Sequence, residues 1–199
     1  MSTLGNIYLI DDDHLMRSSL SNALTRFNYQ VFSFDSAAKF LEKIDSIEYP
    51  AVVLLDMQMP DMNGLELQDH MFKLNRHCPI IFISGQSHPE QIIKALKKGA
   101  NNFLLKPFLI DDLLNSIKDS IELDKNYNNF YEKYITLTPR EKEVFMELAD
   151  GKMLKSIAQD WSVSESVVKL HKSHIMEKMD ANTLQDLTKI FITLELKNK

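Results

Sequence analysis

Three carboxylates, a hydroxyl and an ammonium group each follow a short apolar run in the first 106 residues. They belong to Asp11, Asp12, Asp56, Ser84 and Lys106. In a parallel α/β sheet the carboxyl ends of the strands share one edge, so side chains distant in sequence can meet there. Carboxylates that crowd together repel one another, and an oxygen-lined site of this kind suits Mg²⁺. The sequence therefore predicts an acidic site that binds a hard cation.

A carboxylate in such a site can accept a phosphoryl group as a covalent aspartyl phosphate. Asp56 is the best-placed acceptor because it follows the middle one of five apolar runs, and Asp11 and Asp12 would hold the metal. Lys106 would pair with a phosphoryl oxygen. The Ser84 hydroxyl could hydrogen-bond to another oxygen and draw its loop inward, which would act as a switch. Each residue alone also fits a structural role, and only their joint placement indicates a phosphoryl site.

The elements that would position these residues are short apolar runs alternating with amphipathic stretches. This alternation is typical of a doubly wound α/β fold, so we predict a five-stranded parallel sheet between two layers of helices. The predicted strands are Asn6 to Ile10, Tyr29 to Phe34, Ala51 to Leu55, Pro79 to Ser84 and Asn102 to Leu105. The predicted helices begin near His14, Ser36, Leu65, Pro89 and Asp111.

Composition is that of an ordinary globular protein, with 44% apolar and 26% charged residues in 199. The apolar runs are far shorter than the roughly 20 residues of a membrane span, so we expect a cytoplasmic protein with no membrane contact. The lone Cys78 cannot form an internal disulfide and is expected to be an inert structural thiol. The net charge of −5 lies mostly within the first 120 residues, whereas acidic and basic residues balance from residue 138 onward.

A domain boundary is predicted in residues 124–136, which show no strong amphipathic period and indicate a linker or a frayed helix extension. We therefore expect one domain at 1–123 and a second at 137–199. In the second, Thr138-Pro-Arg-Glu141 has a capping residue, a proline in the first turn and a glutamate at the third helical position. The strand-like runs stop there, so this smaller domain is predicted to be all-α.

Within the second domain, residues 154–178 have the spacing of a helix-turn-helix. One helix is predicted from Leu154 to Trp161 and the next from Glu165, with Ser164 as its N-cap. On the second helix an apolar stripe leaves a basic face that could enter a DNA major groove. A solvated basic face on a small helical domain would explain the pattern as well. The stripe is Val168, Ile175 and Met179, and the basic face is Lys169, Lys172 and Ser173.

The motifs of the first domain resemble the receiver domain of two-component response regulators, over residues 1 to about 123. They are Asp11-Asp12, Leu55-Asp56-Met-Gln-Met-Pro-Asp-Met-Asn-Gly64, Ile83-Ser-Gly85 and Lys106-Pro-Phe108. The resemblance implies a flavodoxin-like fold, phosphotransfer from a sensor histidine kinase and dependence on Mg²⁺, with the Gln58 backbone carbonyl as a further ligand. It also implies a cis Lys106-Pro107 peptide and an inward rotation of Phe103 together with Ser84. Such a protein is a phosphoacceptor with at most slow self-dephosphorylation, not an enzyme.

The second domain is similar to the LuxR-type helix-turn-helix of the NarL/FixJ response regulators. The residues that carry this resemblance are Leu137-Thr-Pro-Arg-Glu-Lys-Glu-Val144, Gly151, Lys155-Ser-Ile-Ala158, Val168-Lys-Leu-His-Lys172 and Lys178-Met179. It implies binding to double-stranded promoter DNA and regulation of transcription, with RNA polymerase as a further possible partner. The implied DNA contacts are Lys169, His171, Lys172, Ser173 and Lys178.

Two residues depart from the second family's pattern, and both bear on DNA affinity or operator preference. Val167 stands where the family usually has Thr, and Leu154 where it commonly has Asn. The resemblance also implies a homodimer on phosphorylation. Either the C-terminal helix, predicted from Leu184 to Leu194, or the receiver face of the fourth and fifth helices and fifth strand could pair the subunits.

Three alternative functions compete with a phosphorylation-controlled regulator. An aspartate-nucleophile phosphatase of the haloacid dehalogenase type would place a second aspartate two residues after the nucleophile, where this chain has Gln58. A second alternative is a phosphorylation-independent DNA-binding regulator with a vestigial receiver. The third is a signalling adaptor whose helical domain binds protein in place of DNA.

Overall fold

The structure is a computed structural model that describes residues 3–74, 78–85 and 88–196. The chain divides into two compact units between Lys125 and Asn126. Within these three described ranges, no helix has both the length and the apolar character needed to cross a membrane.

The first unit is built on a five-stranded parallel sheet with the order β2-β1-β3-β4-β5. The three inner strands are buried along their whole length, whereas the two edge strands are partly exposed. This confirms the predicted sheet, with shifts of one residue at three strand ends. The strands are β1 (Asn6–Ile10), β2 (Gln30–Phe34), β3 (Ala51–Asp56), β4 (Ile80–Ser84) and β5 (Asn102–Leu105).

Helices cover both faces of this sheet because successive strand residues point to opposite sides. Tyr8 and Ile10 belong to a core with α2, α3 and α4, while Ile7 and Leu9 belong to a second core with α1 and α5. The predicted three layers are therefore present. The helices are α1 (His14–Arg26), α2 (Ala37–Leu41), α3 (Gly64–Lys73), α4 (Pro89–Lys97) and α5 (Ile110–Ile135), with a short 3₁₀ helix at Ile44–Ser46.

Local capping fixes where several helices begin. The Asp13 carboxylate accepts hydrogen bonds from the first-turn amides of α1, and Asn63 and Glu66 form a reciprocal capping box at the start of α3. Asp13 lies three residues after the end of β1, and Asn63 lies seven residues after the end of β3. The two caps fix the ends of the loops that follow these strands.

Helix α5 continues through most of the stretch that the sequence marks as a linker or a frayed helix extension, since residues 124–135 are helical. This stretch contains neither Pro nor Gly. Tyr127, Phe130 and Tyr134 recur at roughly helical spacing and pack into the core of the second unit. The aromatic stripe therefore supplies the amphipathic period that the polar residues around it obscure.

Every secondary-structure element in the described part of the second unit is a helix, as predicted. Its core gathers residues from all of its helices, including Val144, Phe145, Ile157, Val168 and Leu187. The helix-turn-helix spans α7 and α8, and Ser162 lies in its turn with a positive φ of 54°. The further helices are α6 (Pro139–Ala149), α7 (Leu154–Asp160), α8 (Glu165–Met179) and α9 (Leu184–Leu196).

Candidate functional site

Three acidic side chains meet at the carboxyl ends of β1 and β3. One carboxylate oxygen each from Asp11, Asp12 and Asp56 lies within 4.8 Å of the others. Asp11 is buried and Asp56 is 9% exposed, whereas Asp12 faces solvent. Two buried carboxylates and one exposed carboxylate thus form an acidic site that opens to solvent on one side.

Lys106, which follows β5, neutralises part of this negative charge. Its Nζ lies 3.0 Å from Asp11 Oδ2 and 3.2 Å from Asp56 Oδ2. Burial alone would lower the pKa of Lys106, but its hydrogen bonds and charge interactions with the two carboxylates hold that pKa above its ordinary value. Lys106 therefore stays an ammonium group at neutral pH.

For the pKa of Asp56, the effect of burial outweighs that of the nearby positive charge. Burial raises its pKa above the ordinary value, against the lowering effects of the Gln58 amide and the Lys106 charge and with the added repulsion of Asp11. A further cation placed beside Asp56 would therefore stabilise its ionised form.

Backbone amides orient the two buried carboxylates. Asp11 Oδ1 accepts a hydrogen bond from the Asp13 amide at 2.8 Å, and Asp56 Oδ1 accepts one from the Gln58 amide at 3.1 Å. Arg17, which the sequence reasoning missed, donates from Nη1 to the Asp11 carbonyl oxygen at 2.6 Å. The one sequence signal for this contact is that Arg17 lies four residues after the Asp13 cap, in the first turns of α1.

Gly64 has a specific reason to lack a side chain. A Cβ at this position would lie 2.5 Å from the Asp56 carbonyl oxygen and 2.8 Å from Phe82 Cε1. The start of α3 can therefore pack directly against the end of β3 only because residue 64 is glycine.

Ser84 and Phe103 occupy the two remaining positions that the sequence singled out in this unit. Ser84 ends β4 and is fully buried, in register with Leu105 just before Lys106. Phe103 is half-buried and stacks on Phe82 with ring centroids 6.1 Å apart. The Lys106-Pro107 peptide is cis.

The donor set fits a magnesium ion. Hard carboxylate oxygens are the ligands Mg²⁺ prefers, and a site with one exposed carboxylate leaves room for the waters that this ion retains. Asp11, Asp12 and Asp56 could hold the ion. Gln58 is exposed in the loop that follows β3, where its backbone could contribute.

The second candidate site is the outer face of α8. The stripe of Val168, Ile175 and Met179 is fully buried. Lys169 has a side chain that is 64% exposed, with Glu165 at 3.9 Å, and Ser173 is also exposed. His171 and Lys172 are half-buried on the same helix. Lys169 and Ser173 therefore lie on the exposed side of α8, whereas His171 and Lys172 lie nearer to its buried stripe.

Two apolar residues also lie on the exposed side of α8. Val167 is 40% exposed and Leu170 is 56% exposed. Leu154, the other departure from the family pattern, is half-buried against the core of the second unit. The outer face of α8 is therefore both basic and apolar.

Lys178 is engaged within its own unit. Its Nζ lies 2.7 Å from Glu141 Oε2, and the buried Glu141 also caps α6 through Thr138. His174 Nδ1 lies 3.7 Å from the other Glu141 oxygen. We therefore interpret Lys178 as a residue that holds α8 against α6, and the DNA contact expected from the sequence stays a prediction.

Glu141→Ala is expected to destabilise the second unit by about 1–3 kcal/mol, because it leaves Lys178 and the Thr138 amide without their shared partner. Burial alone would raise the pKa of Glu141, but its hydrogen bonds with Lys178 and Thr138 hold it below the ordinary 4.5. A lowered folded-state pKa means that the stabilisation is present above 4.5 and disappears as pH falls through the folded value.

Thermal unfolding followed by fluorescence can check this, since Trp161 is the single tryptophan and lies in the second unit. Arg140 covers its ring at 3.4 Å. The control is Glu143→Ala, which breaks only an exposed pair with Arg140 and should cost less than about 1 kcal/mol. Equal effects of the two variants at pH 7, or a Glu141→Ala effect that persists unchanged in acid, would contradict the assignment.

Two family models match the chain. Residues 7–118 match the response regulator receiver domain, and residues 135–191 match the luxR family of bacterial regulatory proteins. The first match contains every residue of the acidic site. The second contains the helix-turn-helix.

Known regulators are similar over almost the whole chain. Nodulation protein W of Bradyrhizobium diazoefficiens is 34% identical, and the match covers 97% of this chain and 88% of the relative. Transcriptional regulatory protein FixJ of the same species is 32% identical, with 96% of each chain covered.

Solved structures agree with these matches. Full-length FixJ from B. japonicum has a TM-score of 0.59 and 30% identity, covering 98% of this chain and 99% of that chain. The response regulator TrrA from Thermotoga maritima, solved in complex with Mg²⁺-BeF, has a TM-score of 0.52 and 26% identity, covering 60% of this chain and 98% of that chain. With a receiver domain followed by a LuxR-type helix-turn-helix, this chain belongs to the NarL/FixJ family of two-component response regulators.

Proposed function

We propose that Asp56 accepts a phosphoryl group from a sensor histidine kinase and that the phosphorylated protein binds promoter DNA to regulate transcription. The observation that carries this proposal is the convergence of Lys106 on both Asp11 and Asp56, at 3.0 and 3.2 Å. A lysine that bridges two carboxylates can pair with a phosphoryl oxygen once one carboxylate becomes an acyl phosphate. No comparable arrangement would be needed for a purely structural sheet edge.

In the proposed transfer, an Asp56 carboxylate oxygen attacks phosphorus as the bond from phosphorus to a kinase histidine nitrogen breaks. The imidazole, which carries a proton on its other ring nitrogen, leaves as a neutral base. Asp11 and Asp12 would hold a Mg²⁺ ion, which would neutralise charge on the transferring group. Lys106 exchanges its contact with Asp56 Oδ2 for a phosphoryl oxygen. Beyond slow self-dephosphorylation we expect no catalytic activity of the chain itself.

The switch that follows would involve Ser84 and Phe103. The Ser84 hydroxyl ends β4, next to β3 in the sheet, and can hydrogen-bond to a phosphoryl oxygen on Asp56 when its loop moves inward. Phe103 already packs against Phe82 on β4, so its ring can follow that movement. We propose that this change favours a homodimer.

The output would be read by α8 in the major groove. Lys169, Lys172, His171 and Ser173 can contact phosphates and base edges, and exposed Val167 and Leu170 can contact thymine methyl groups. Because the second unit has balanced charge, binding by one subunit should be modest and dimerisation should strengthen it. A promoter-bound dimer could then contact RNA polymerase.

Chelating Mg²⁺ tests the acceptor chemistry. With acetyl phosphate and Mg²⁺ the full-length protein should become a phosphoprotein that is stable in acid and labile in base. In EDTA the initial rate should fall at least about ten-fold, which corresponds to the loss of 1.36 kcal/mol of transition-state stabilisation. Adding Mg²⁺ back should restore the rate. Equal labelling with and without the metal would contradict the role of Asp11 and Asp12.

A further inference from the structure

A buried carboxylate lies outside the acidic site and beyond the part of the chain that matches the receiver model. Asp124 is on α5, six residues after that match ends at 118, and it is completely buried. Its Oδ2 accepts a hydrogen bond from the Ala51 amide at 2.9 Å, across 73 positions in sequence. Burying a carboxylate costs free energy unless hydrogen bonds compensate. The hydrogen bond from Ala51 therefore holds Asp124 in place at the start of β3.

The partner of Asp124 is the first residue of the strand that carries the phosphoacceptor. Ala51 begins β3 and Asp56 ends it. Two residues along the strand, the Val53 amide donates to the Pro79 carbonyl oxygen just before β4 at 2.8 Å, whereas the Ala51 amide donates to Asp124. Asp124 thus extends the hydrogen bonding of β3 at the end opposite the phosphorylation site.

Helix α5 begins close in sequence to the acidic site and ends in the second unit. It begins at Ile110, four residues after the phosphate-pairing Lys106, and it runs on to Ile135. Tyr127, one helical turn after Asp124, is already a core residue of the second unit. Helix α5 therefore contributes buried residues to both units, Asp124 to the first and Tyr127 to the second.

We propose that Asp124 is a positioning residue that fixes α5 to β3, so that phosphorylation at Asp56 changes DNA affinity through the placement of this helix. The inference rests on the proposed function. Asp124 touches neither the phosphoryl site nor DNA. Its loss should leave phosphoryl uptake and DNA contacts intact and remove the coupling between them.

The experiment measures the ratio of DNA dissociation constants before and after phosphorylation, on full-length protein and a DNA fragment selected in vitro for binding to it. A coupling of ordinary strength gives the wild type a ratio of about 5- to 150-fold. For Asp124→Ala we expect a ratio near one, with the rate of labelling by acetyl phosphate unchanged within about two-fold. Asp124→Asn retains a carbonyl oxygen as acceptor for the Ala51 amide and should keep most of the wild-type ratio.

Glu122→Ala, which removes an exposed acid two residues earlier on α5, is the matched control and should retain the full ratio. If Asp124→Ala does not fold, Asp124→Leu fills a similar volume without an acceptor and takes its place. A lowered melting temperature with an unchanged ratio would overturn the proposal, since Asp124 would then only stabilise the receiver. A wild-type ratio of one would refute the proposed function itself.

Discussion

Replacing Asp56 by Asn should abolish phosphoryl incorporation from both acetyl phosphate and a cognate histidine kinase. The amide fills nearly the same volume, its single oxygen can still accept the hydrogen bond from the Gln58 amide, and Lys106 keeps its pair with Asp11, so the fold should persist. It cannot form an acyl phosphate, because the attacking carboxylate oxygen is gone. We expect no acid-stable, base-labile label, measured by intact-protein mass spectrometry and by radiolabelled phosphate.

The matched control is Asp61→Asn, in the loop just after the acceptor. Asp61 is exposed and has a positive φ of 66°, a conformation that Asn also adopts readily. This variant should label at the wild-type rate. Persistent labelling of Asp56→Asn would mean that another residue is the acceptor, and the role proposed for the Lys106 pairs would be lost with it.

Removing Lys169 and Lys172 together should weaken promoter binding about 30-fold or more at physiological ionic strength. Each lost base or phosphate contact is worth at least about 1 kcal/mol, and two such contacts give this factor. If both lysines contact phosphates, the slope of log affinity against log salt should fall by about 2. Fluorescence anisotropy of a labelled promoter fragment over a range of salt concentrations measures both quantities.

Lys118→Ala with Lys125→Ala removes the same charge from exposed positions on α5 and should leave both quantities nearly unchanged. That comparison separates contact at α8 from a general effect of net charge. Binding that ignores salt, or that survives the loss of Lys169 and Lys172, would favour a helical domain that binds protein.

The sheet and the acidic site were predictable because their signals are local. A run of buried apolar residues marks each inner strand, and the residue after the run falls at the shared edge of a parallel sheet. The positions of the apolar runs were therefore enough to predict that Asp11, Asp56 and Lys106 lie close together. The capping box at Thr138 and Glu141 is similarly contained within four residues.

Two contacts away from the shared strand edge, one made by Lys178 and one by Asp124, were not predictable from pattern. The pairing of Lys178 with Glu141 depends on the packing of α8 on α6, which the sequence pattern did not indicate. Asp124 looked like one more polar residue in a linker, because its Ala51 partner lies 73 residues away. The helix over residues 124–135 was difficult to predict because its buried residues pack into different units. Its aromatic stripe packs in the second unit, whereas Asp124 packs in the first.

Control of DNA binding by phosphorylation is tested most directly by measuring the DNA affinity of one protein preparation before and after stoichiometric phosphorylation at Asp56. The promoter fragment, salt and Mg²⁺ concentration should be identical in the two measurements. We predict a dissociation constant at least about five-fold lower for the phosphorylated protein, the lower end of ordinary coupling strengths. An unchanged dissociation constant for fully phosphorylated protein would contradict it and favour a phosphorylation-independent regulator.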